Sequence, residues 1–231
     1  MSLQKSSGAL LLIILLSLGC GCSKVRSNVT SGSRPDGAVI YAAVGDSTGA
    51  GLGARQGGYV ERLFARIKQA RPASRLNNRS LAGANTAQVL QSQVAQIVAD
   101  QPTLVTVGIG LNDLLQGVTE DEFAKNYEEI VSRLLGTHAF IIITTLPDLS
   151  AAPAFAKREA GDLTARLIRY NQRIETIAAR YGVELVDVYN LSREALHTRP
   201  ELFGADGLHP SDAGYEYWAE TLWPAVNKAI N

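Results

Sequence analysis

The feature that most constrains the fold is a regular alternation between short apolar runs and longer segments with helical spacing. The clearest apolar runs occupy residues 39–44, 103–109 and 140–145, and weaker strands are expected at residues 75–80 and 183–188. Short runs that are mostly apolar are typical of strands buried on both faces. The chain therefore predicts a parallel sheet rather than an exposed antiparallel one.

Between the runs, apolar residues recur at helical spacing, which predicts amphipathic helices. The expected helices lie between Gly58 and Pro72, across residues 89–98, 123–135 and 163–181, and at the C-terminus around Trp218 to Val226. Alternating strands and helices with right-handed crossovers give a three-layer α/β/α domain with a central parallel sheet. Ligands in such domains bind beyond the carboxyl ends of the strands.

The first 22 residues are typical of a secretory signal peptide. Lys5 precedes an apolar run from Ala9 to Leu18, and Gly19-Cys20-Gly21-Cys22 follows. The run is shorter than the ~20 residues that a membrane span needs. A small residue before Cys20 resembles a bacterial lipoprotein processing site, which predicts lipid attachment at Cys20. An ordinary cleaved signal, or a disulfide between the two cysteines, stays open.

Residues 23–37 are polar and predict a tether, which leaves residues 38–231 as one domain. That domain contains no cysteine, so it offers no thiolate metal site or disulfide framework. The 22 basic residues balance the 22 acidic ones, which gives no electrostatic case for nucleic-acid binding. We expect an exported monomer, held at the bacterial cell envelope by its lipid or otherwise periplasmic or secreted.

A glycine-rich turn from Gly45 to Ala54 follows the first predicted strand and matches three motifs. Gly49 to Ala54 fits a dinucleotide-binding turn, but the second strand ends without the acidic residue that would hold a ribose. Gly45 to Gly49 fits a nucleophile elbow, but that elbow needs earlier strands that the domain lacks. The third interpretation is a serine, Ser47, at the carboxyl end of the first strand.

A serine nucleophile requires a base that is held in one tautomer. Of the three histidines, His138 and His197 are expected to be surface or capping residues. His209 lies in Asp206-Gly207-Leu208-His209, where the Asp206 carboxylate can accept the Nδ1 proton across one turn and leave Nε2 free. His209 and Asp206 are therefore the predicted base and its orienting carboxylate.

The attacked carbonyl also needs hydrogen-bond donors for its developing negative charge. Asn112 ends the run Gly108 to Asp113 and can present its side-chain amide at the same sheet edge as Ser47. The backbone of Gly83 is a further candidate donor. Asp46 and Asp113 lie beside these residues, and we expect them to brace loops rather than to act as a carboxylate pair.

Taken in order, these segments resemble the four blocks of the GDSL, or SGNH, hydrolase family. The blocks are Gly45-Asp46-Ser47, Gly83, Gly110-Leu111-Asn112-Asp113 and Asp206-Gly207-Leu208-His209. The resemblance implies a flavodoxin-like fold without metal or cofactor. It also implies that Ser47 is the nucleophile, that His209 and Asp206 complete a triad, and that Ser47 N–H, Gly83 N–H and the Asn112 amide form the oxyanion hole. One departure is Thr48, where the family has leucine, so a pocket contact can differ.

The expected activity is hydrolysis of a small carboxylic ester through an acyl-enzyme. Lipid or short-acyl esters are favoured, as for an esterase, lysophospholipase or thioesterase. The apolar segment from Leu146 to Phe155 supports this because it can cover an acyl chain, although a packing loop has the same composition. The alternatives are a carbohydrate O-acetyl esterase of the same fold and a non-catalytic, lipid-anchored binding protein.

Overall fold

The structure, a computed structural model, describes residues 37–156 and 160–231. The expected signal peptide over residues 1–22, the lipid-attachment residue Cys20 and the tether up to residue 36 lie outside the described residues. The expected hydrolase domain falls almost wholly within them.

Five parallel strands form a single sheet in the order β2-β1-β3-β4-β5. The strands are β1 (Ile40–Gly45), β2 (Arg75–Asn78), β3 (Leu104–Gly108), β4 (Phe140–Thr144) and β5 (Glu184–Val186). This order confirms the predicted three-layer, flavodoxin-like fold. The direction of winding reverses between β1 and β3, and a crevice opens there at the carboxyl ends of the strands.

Eight α-helices are described within residues 37–156 and 160–231. They are α1 (Tyr59–Ala70), α2 (Thr86–Ser92), α3 (Val94–Asp100), α4 (Leu111–Gln116), α5 (Glu120–Leu135), α6 (Ala160–Tyr181), α7 (Val188–Thr198) and α8 (Asp212–Ile230). In this part of the chain, no helix is long and apolar enough to cross a membrane.

Each face of the sheet has its own hydrophobic core because successive strand residues point to opposite faces. In β1, Ala42 and Val44 face the core that helices α2 to α6 cover. Tyr41 and Ala43 face the opposite core, which is closed by α1 and α8. Every β1 residue is buried, which explains why this strand is apolar throughout.

The structure corrects two of the expected elements and adds two helices. The helix expected across residues 89–98 is two helices, α2 and α3, which meet at Gln93. The last strand ends at Val186 rather than residue 188, because Asp187 caps α7 by accepting a hydrogen bond from Asn190 N–H at 3.2 Å. Helices α4 and α7 were not expected from the sequence.

Polar contacts join helices α1 and α8 on one face of the sheet, close to the loop that carries His209. Ser211 caps α8 by accepting a hydrogen bond from Gly214 N–H at 3.1 Å. Arg62 of α1 makes ion pairs with Asp212 at 3.2 Å and with Glu216 at 2.6 Å. This network fixes the start of α8, and hence the loop before it, relative to the first helix.

Candidate active site

Ser47 lies two residues beyond the end of β1, in the crevice beside β3. The strand end is held by Gln93, whose side-chain amide donates to the Gly45 carbonyl at 2.9 Å and whose oxygen accepts from Gly45 N–H at 3.1 Å. Gln93 is almost fully buried, so these two hydrogen bonds are shielded from water. They fix the backbone that carries Ser47.

The structure brings Ser47, His209 and Asp206 into one chain of hydrogen bonds. His209 Nε2 lies 2.8 Å from Ser47 Oγ, and His209 Nδ1 lies 2.6 Å from Asp206 Oδ2. The other Asp206 oxygen, Oδ1, accepts the N–H groups of Leu208 and His209, each at 2.9 Å. The predicted side chains from opposite ends of the domain therefore meet.

Asp206 stays ionised and so fixes the tautomer of the imidazole. Its hydrogen bond to His209 lowers the pKa of Asp206 to about 2, with the two backbone N–H groups acting in the same direction. An ionised carboxylate can only accept, so Nδ1 of His209 donates to it. Nε2 of the neutral ring is then free to accept the Ser47 proton, which is the arrangement of a serine hydrolase.

Gly83 and Asn112 lie side by side at the edge of the same crevice. The Asn112 Nδ2 group donates to the Ala84 carbonyl at 2.9 Å, next to Gly83, and keeps a second proton for another acceptor. Gly83 has a φ of +81°, and a Cβ built there would meet no atom within 4 Å, so its backbone borders open space. The N–H groups of Gly83 and Ser47 have no acceptor within the described residues.

Asp113 braces this edge, as expected from the sequence. It is buried and accepts the backbone N–H of Thr86 at 2.9 Å and its hydroxyl at 2.5 Å. Burial raises the pKa of Asp113, and the Thr86 hydrogen bonds oppose that rise. The contact joins α4, which carries Asn112, to the first residue of α2, three residues after Gly83.

The segment from Leu146 to Phe155 packs against the loop that carries the histidine. Ala154 N–H donates to the Gly207 carbonyl at 3.0 Å. Gly207 has a φ of +69°, and a Cβ built there would lie 2.9 Å from Pro153 Cβ, so the two segments touch closely. The Leu146–Phe155 segment thus supports the turn between Asp206 and His209.

Asp148 anchors the same segment to α7 and forms a second cluster of serine, histidine and aspartate. His197 Nε2 lies 3.1 Å from Asp148 Oδ2 and 3.4 Å from Ser150 Oγ. Both contacts converge on one ring nitrogen, so the ring cannot relay a proton from the serine as His209 can. Burial alone would raise the pKa of Asp148, but hydrogen bonds from Ser150 and His197 together lower it.

A cavity of about 70 Å³ lies directly behind the Ser47 loop. Its lining is mainly apolar, and it extends from β3 and β4 to α7 and α8. The described residues contain no group of three or more side chains suited to holding a metal ion.

A family model described as the GDSL-like lipase/acylhydrolase family matches residues 43–217, which is more than half of the chain. The chain belongs to this family. Membership confirms the resemblance noted in the sequence and the predicted enzyme class, a carboxylic ester hydrolase.

Curated relatives of this hydrolase carry esterase names. A GDSL-like esterase of Mycobacterium tuberculosis is 29% identical over 80% of this chain, and the chain spans only 61% of that relative's length. The esterase TesA of Pseudomonas aeruginosa is 24% identical over 81% of this chain and 87% of its own length.

Solved structures share the fold of this hydrolase at low sequence identity. LAE5, an α/β hydrolase enzyme from a lake metagenome, superimposes with a TM-score of 0.69 at 24% identity, covering 84% of this chain and 96% of its own. An acetyl xylan esterase from Geobacillus stearothermophilus gives a TM-score of 0.67 at 21% identity, covering 84% of this chain and 94% of its own.

Sequence reasoning missed Gln93 as a residue that positions the site. It lies four residues after Val89 and four before Ile97, on the buried stripe of the expected helix. A polar residue on such a stripe must find buried partners, since an unpaired amide there is costly. That signal was available, but the sequence does not reveal that the partner is Gly45.

Asp46 is the buried carboxyl group nearest the nucleophile in sequence, and its ionisation should destabilise the fold. Burial raises the pKa of Asp46 from 3.8 to about 6, against the lowering effects of Thr48 N–H and of His209. The stability that the fold keeps while Asp46 is protonated is therefore fully present below the unfolded-state pKa of 3.8. It is lost as pH rises through the folded-state pKa of about 6.

Asp46→Asn removes this titration. We expect its unfolding free energy, relative to that of wild type, to be about 2 kcal/mol higher at about pH 8 than at about pH 4.5. Urea unfolding of both proteins at the two pH values measures the difference. Asp162→Asn, at an exposed residue in the first turn of α6, is the matched control. A stability difference between Asp46→Asn and wild type that is the same at both pH values would contradict the assignment.

Proposed function

We propose that this protein hydrolyses short-acyl carboxylic esters through an acyl-enzyme formed on Ser47. The observation that carries the proposal is the continuous hydrogen-bond chain from Ser47 Oγ through His209 to Asp206, at 2.8 Å and 2.6 Å. Membership of the GDSL-like lipase/acylhydrolase family supports the same chemistry.

In the first step, Ser47 Oγ attacks the ester carbonyl carbon while its proton passes to His209 Nε2. The resulting imidazolium is stabilised by the ionised Asp206, which already accepts from Nδ1. The proton then moves from Nε2 to the departing alcohol oxygen as the carbon–oxygen bond breaks. This leaves the acyl group on Ser47 and a neutral His209.

The negative charge that develops on the carbonyl oxygen needs donors that are already oriented. We assign this role to the N–H groups of Ser47 and Gly83 and to the second proton of Asn112 Nδ2. The free N–H groups and the open space beside Gly83 support the assignment. The Ala84 carbonyl holds the Asn112 amide in place before substrate arrives.

Deacylation repeats the same steps with water as the nucleophile. His209 Nε2 takes a proton from water as the water oxygen attacks the acyl carbon. The proton then returns to Ser47 Oγ, and the carboxylic acid leaves. The chemistry requires no group beyond the side chains and backbone of this chain, since every proton transfer uses His209.

The volume of the cavity favours short acyl groups over long lipid chains. The cavity measures about 70 Å³, which suits a small acyl group. Acetyl esters of carbohydrates, the alternative substrate, fit the same volume limit, and acetyl xylan esterases share the fold. The apolar lining favours an acyl chain of several carbons over an acetyl group alone.

We also propose that the protein is exported and held at a membrane by a lipid on Cys20. The support is the sequence of residues 1–22, with its apolar run and small residue before the cysteine. Cys20→Ser should move the protein from the membrane fraction to the soluble fraction of the producing bacteria, whereas Cys22→Ser should not. An unchanged distribution of Cys20→Ser would refute the anchor.

The identity of the nucleophile can be tested by covalent labelling with a fluorophosphonate probe. We expect Ser47→Ala to lose both labelling and turnover of 4-nitrophenyl butyrate while melting at the wild-type temperature. Ser150→Ala is the matched control, because its hydroxyl also lies near a histidine but has no relay geometry. A folded Ser47→Ala protein that still reacts with the probe would refute the proposal.

The proposed oxyanion hole can be tested at Asn112. We expect Asn112→Ala to lower kcat by roughly 10²–10³, since the amide stabilises charge that exists only in the transition state. Steady-state kinetics with 4-nitrophenyl butyrate measures the loss. Asn227→Ala, an exposed asparagine of α8, controls for the substitution itself. If kcat of Asn112→Ala is unchanged, the amide serves only to hold Ala84.

A further inference from the structure

The turn that leads to His209 faces solvent on one side and the Leu146–Phe155 segment on the other. Asp206 is exposed, whereas the next residue, Gly207, is buried. Ala154 N–H donates to the Gly207 carbonyl at 3.0 Å, and a Cβ built on Gly207 would lie 3.1 Å from Ala154 N. The segment therefore covers the side of the turn that faces away from water.

The loop that carries His209 is held differently on its two sides. After the histidine, the cap at Ser211 ties the loop to α8. The residues directly before and after the histidine, Leu208 and Pro210, line the cavity of about 70 Å³. Residues that border a cavity lack partner atoms on that side, so packing alone does not fix the imidazole. The contact at Gly207 holds the loop on the side before the histidine.

The segment itself is fastened to α7 by one buried carboxylate. Asp148 is 3% exposed, and its Oδ2 accepts from His197 Nε2 at 3.1 Å and pairs with Arg193 Nε at 3.4 Å. Its other oxygen, Oδ1, accepts the Ser150 N–H at 3.0 Å. One carboxylate thus connects the surface of α7 to the backbone of the segment.

Two short 3₁₀ helices, Leu149–Ala151 and Pro153–Phe155, connect Asp148 to Ala154. The backbone hydrogen bonds of these turns are between 2.9 and 3.2 Å long. One apolar side chain from each turn is buried in the core. A stretch of six residues with this much internal bonding has little slack, so a displacement at Asp148 reaches the contact with Gly207.

The start of the segment has its own anchor on α6. Asn171 Oδ1 accepts the Leu146 N–H at 2.8 Å, and Asn171 Nδ2 donates to the Leu146 carbonyl at 3.0 Å. Both residues are buried, so these hydrogen bonds are shielded from water. Loss of the Asp148 carboxylate should therefore displace the segment without detaching it from the fold.

We propose that Asp148 is a positioning residue for catalysis: by fastening the segment to α7, it holds the Gly207 peptide and keeps His209 within proton-transfer reach of Ser47. This inference rests on the proposed ester hydrolysis at Ser47. The hydrogen bonds of Asp148 go to its own turn and to α7 rather than to the triad. Its effect on turnover therefore passes through the contact at Gly207.

The proton transfer is sensitive to small displacements of the imidazole. His209 Nε2 lies 2.8 Å from Ser47 Oγ, and a misplacement of about 1 Å can cost on the order of 10²-fold in rate. Binding of the ester before the attack does not use His209 Nε2. A displaced imidazole consequently lowers kcat and leaves KM nearly unchanged.

Asp148→Ala removes both contacts to α7 at once. We expect kcat for 4-nitrophenyl butyrate to fall about tenfold or more and KM to stay within about twofold. His197→Ala, at a partly exposed residue, should give a smaller fall in kcat, and His197→Gln should restore it because its amide can donate to Asp148. Asp121→Ala, which breaks an exposed ion pair with Arg173, is the matched control and should keep both constants.

A double-mutant cycle separates positioning from a loss of stability alone. Gly207→Ala places a Cβ 2.9 Å from Pro153 Cβ at a φ of +69°, so it pushes the turn and the segment apart. If Asp148 acts through this contact, Asp148→Ala should lower kcat much less in the Gly207→Ala protein than in wild type. Equal fold losses of kcat in the two backgrounds overturn the inference.

An unchanged kcat in Asp148→Ala overturns it as well, as does a rise in KM at constant kcat. If Asp148→Ala fails to fold, the fall in kcat of His197→Ala and its rescue by His197→Gln carry the same test, and an unchanged kcat there is equally decisive. Fluorophosphonate labelling reads the proposed function separately. A wild-type protein with neither labelling of Ser47 nor ester turnover contradicts the function, whereas labelling and turnover that the variants leave unchanged contradict the inference alone.

Discussion

The hydrogen bond between Ser47 and His209 joins two segments that are 162 residues apart, and the rest of the site depends on it. Neither segment alone can bring its side chain into contact with the other. Ser47 follows the first strand, whereas His209 precedes the last helix, and the packing of α1 against α8 brings them together. The Arg62 ion pairs and the hydrogen bond from the Tyr215 hydroxyl to the Leu52 carbonyl, at 2.7 Å, set the register of that packing. The core on this face of the sheet therefore determines whether the proton can be transferred.

The layers of the fold could be predicted from the sequence because burial on both faces leaves a visible pattern. Strands β1, β3 and β4 lie in short runs that are mostly apolar, and helices α1, α5 and α6 show a clear apolar stripe. The pattern failed where an element is short or is defined by a tertiary contact. Helix α4 has only six residues, which is too short for an apolar stripe that repeats over several turns. The break between α2 and α3 lies at Gln93, whose side chain bonds to Gly45, a distant partner that no local signal reveals.

The residues of the candidate site were predictable for a different reason. Ser47, Asn112, Asp206 and His209 each belong to a short block whose neighbours are also constrained, so the blocks are recognisable in order. Supporting contacts, such as Ala154 with Gly207 or Asp148 with His197, join segments that no recognisable sequence motif marks as partners. His197 was expected to be a surface or capping residue, and it is a partly exposed member of such a contact. The lipid anchor on Cys20 stays a prediction.

The Gln93 side chain accepts from Gly45 N–H and donates to the Gly45 carbonyl, which also accepts from Leu81 N–H. The Gln93 side chain thereby sets the distance between the helical layer and the loop that carries Ser47. Small repacking of α2 or α3 would be transmitted as a shift of the loop rather than absorbed locally. Evolutionary tuning of turnover in this scaffold can consequently proceed through helix-layer substitutions that never touch a substrate.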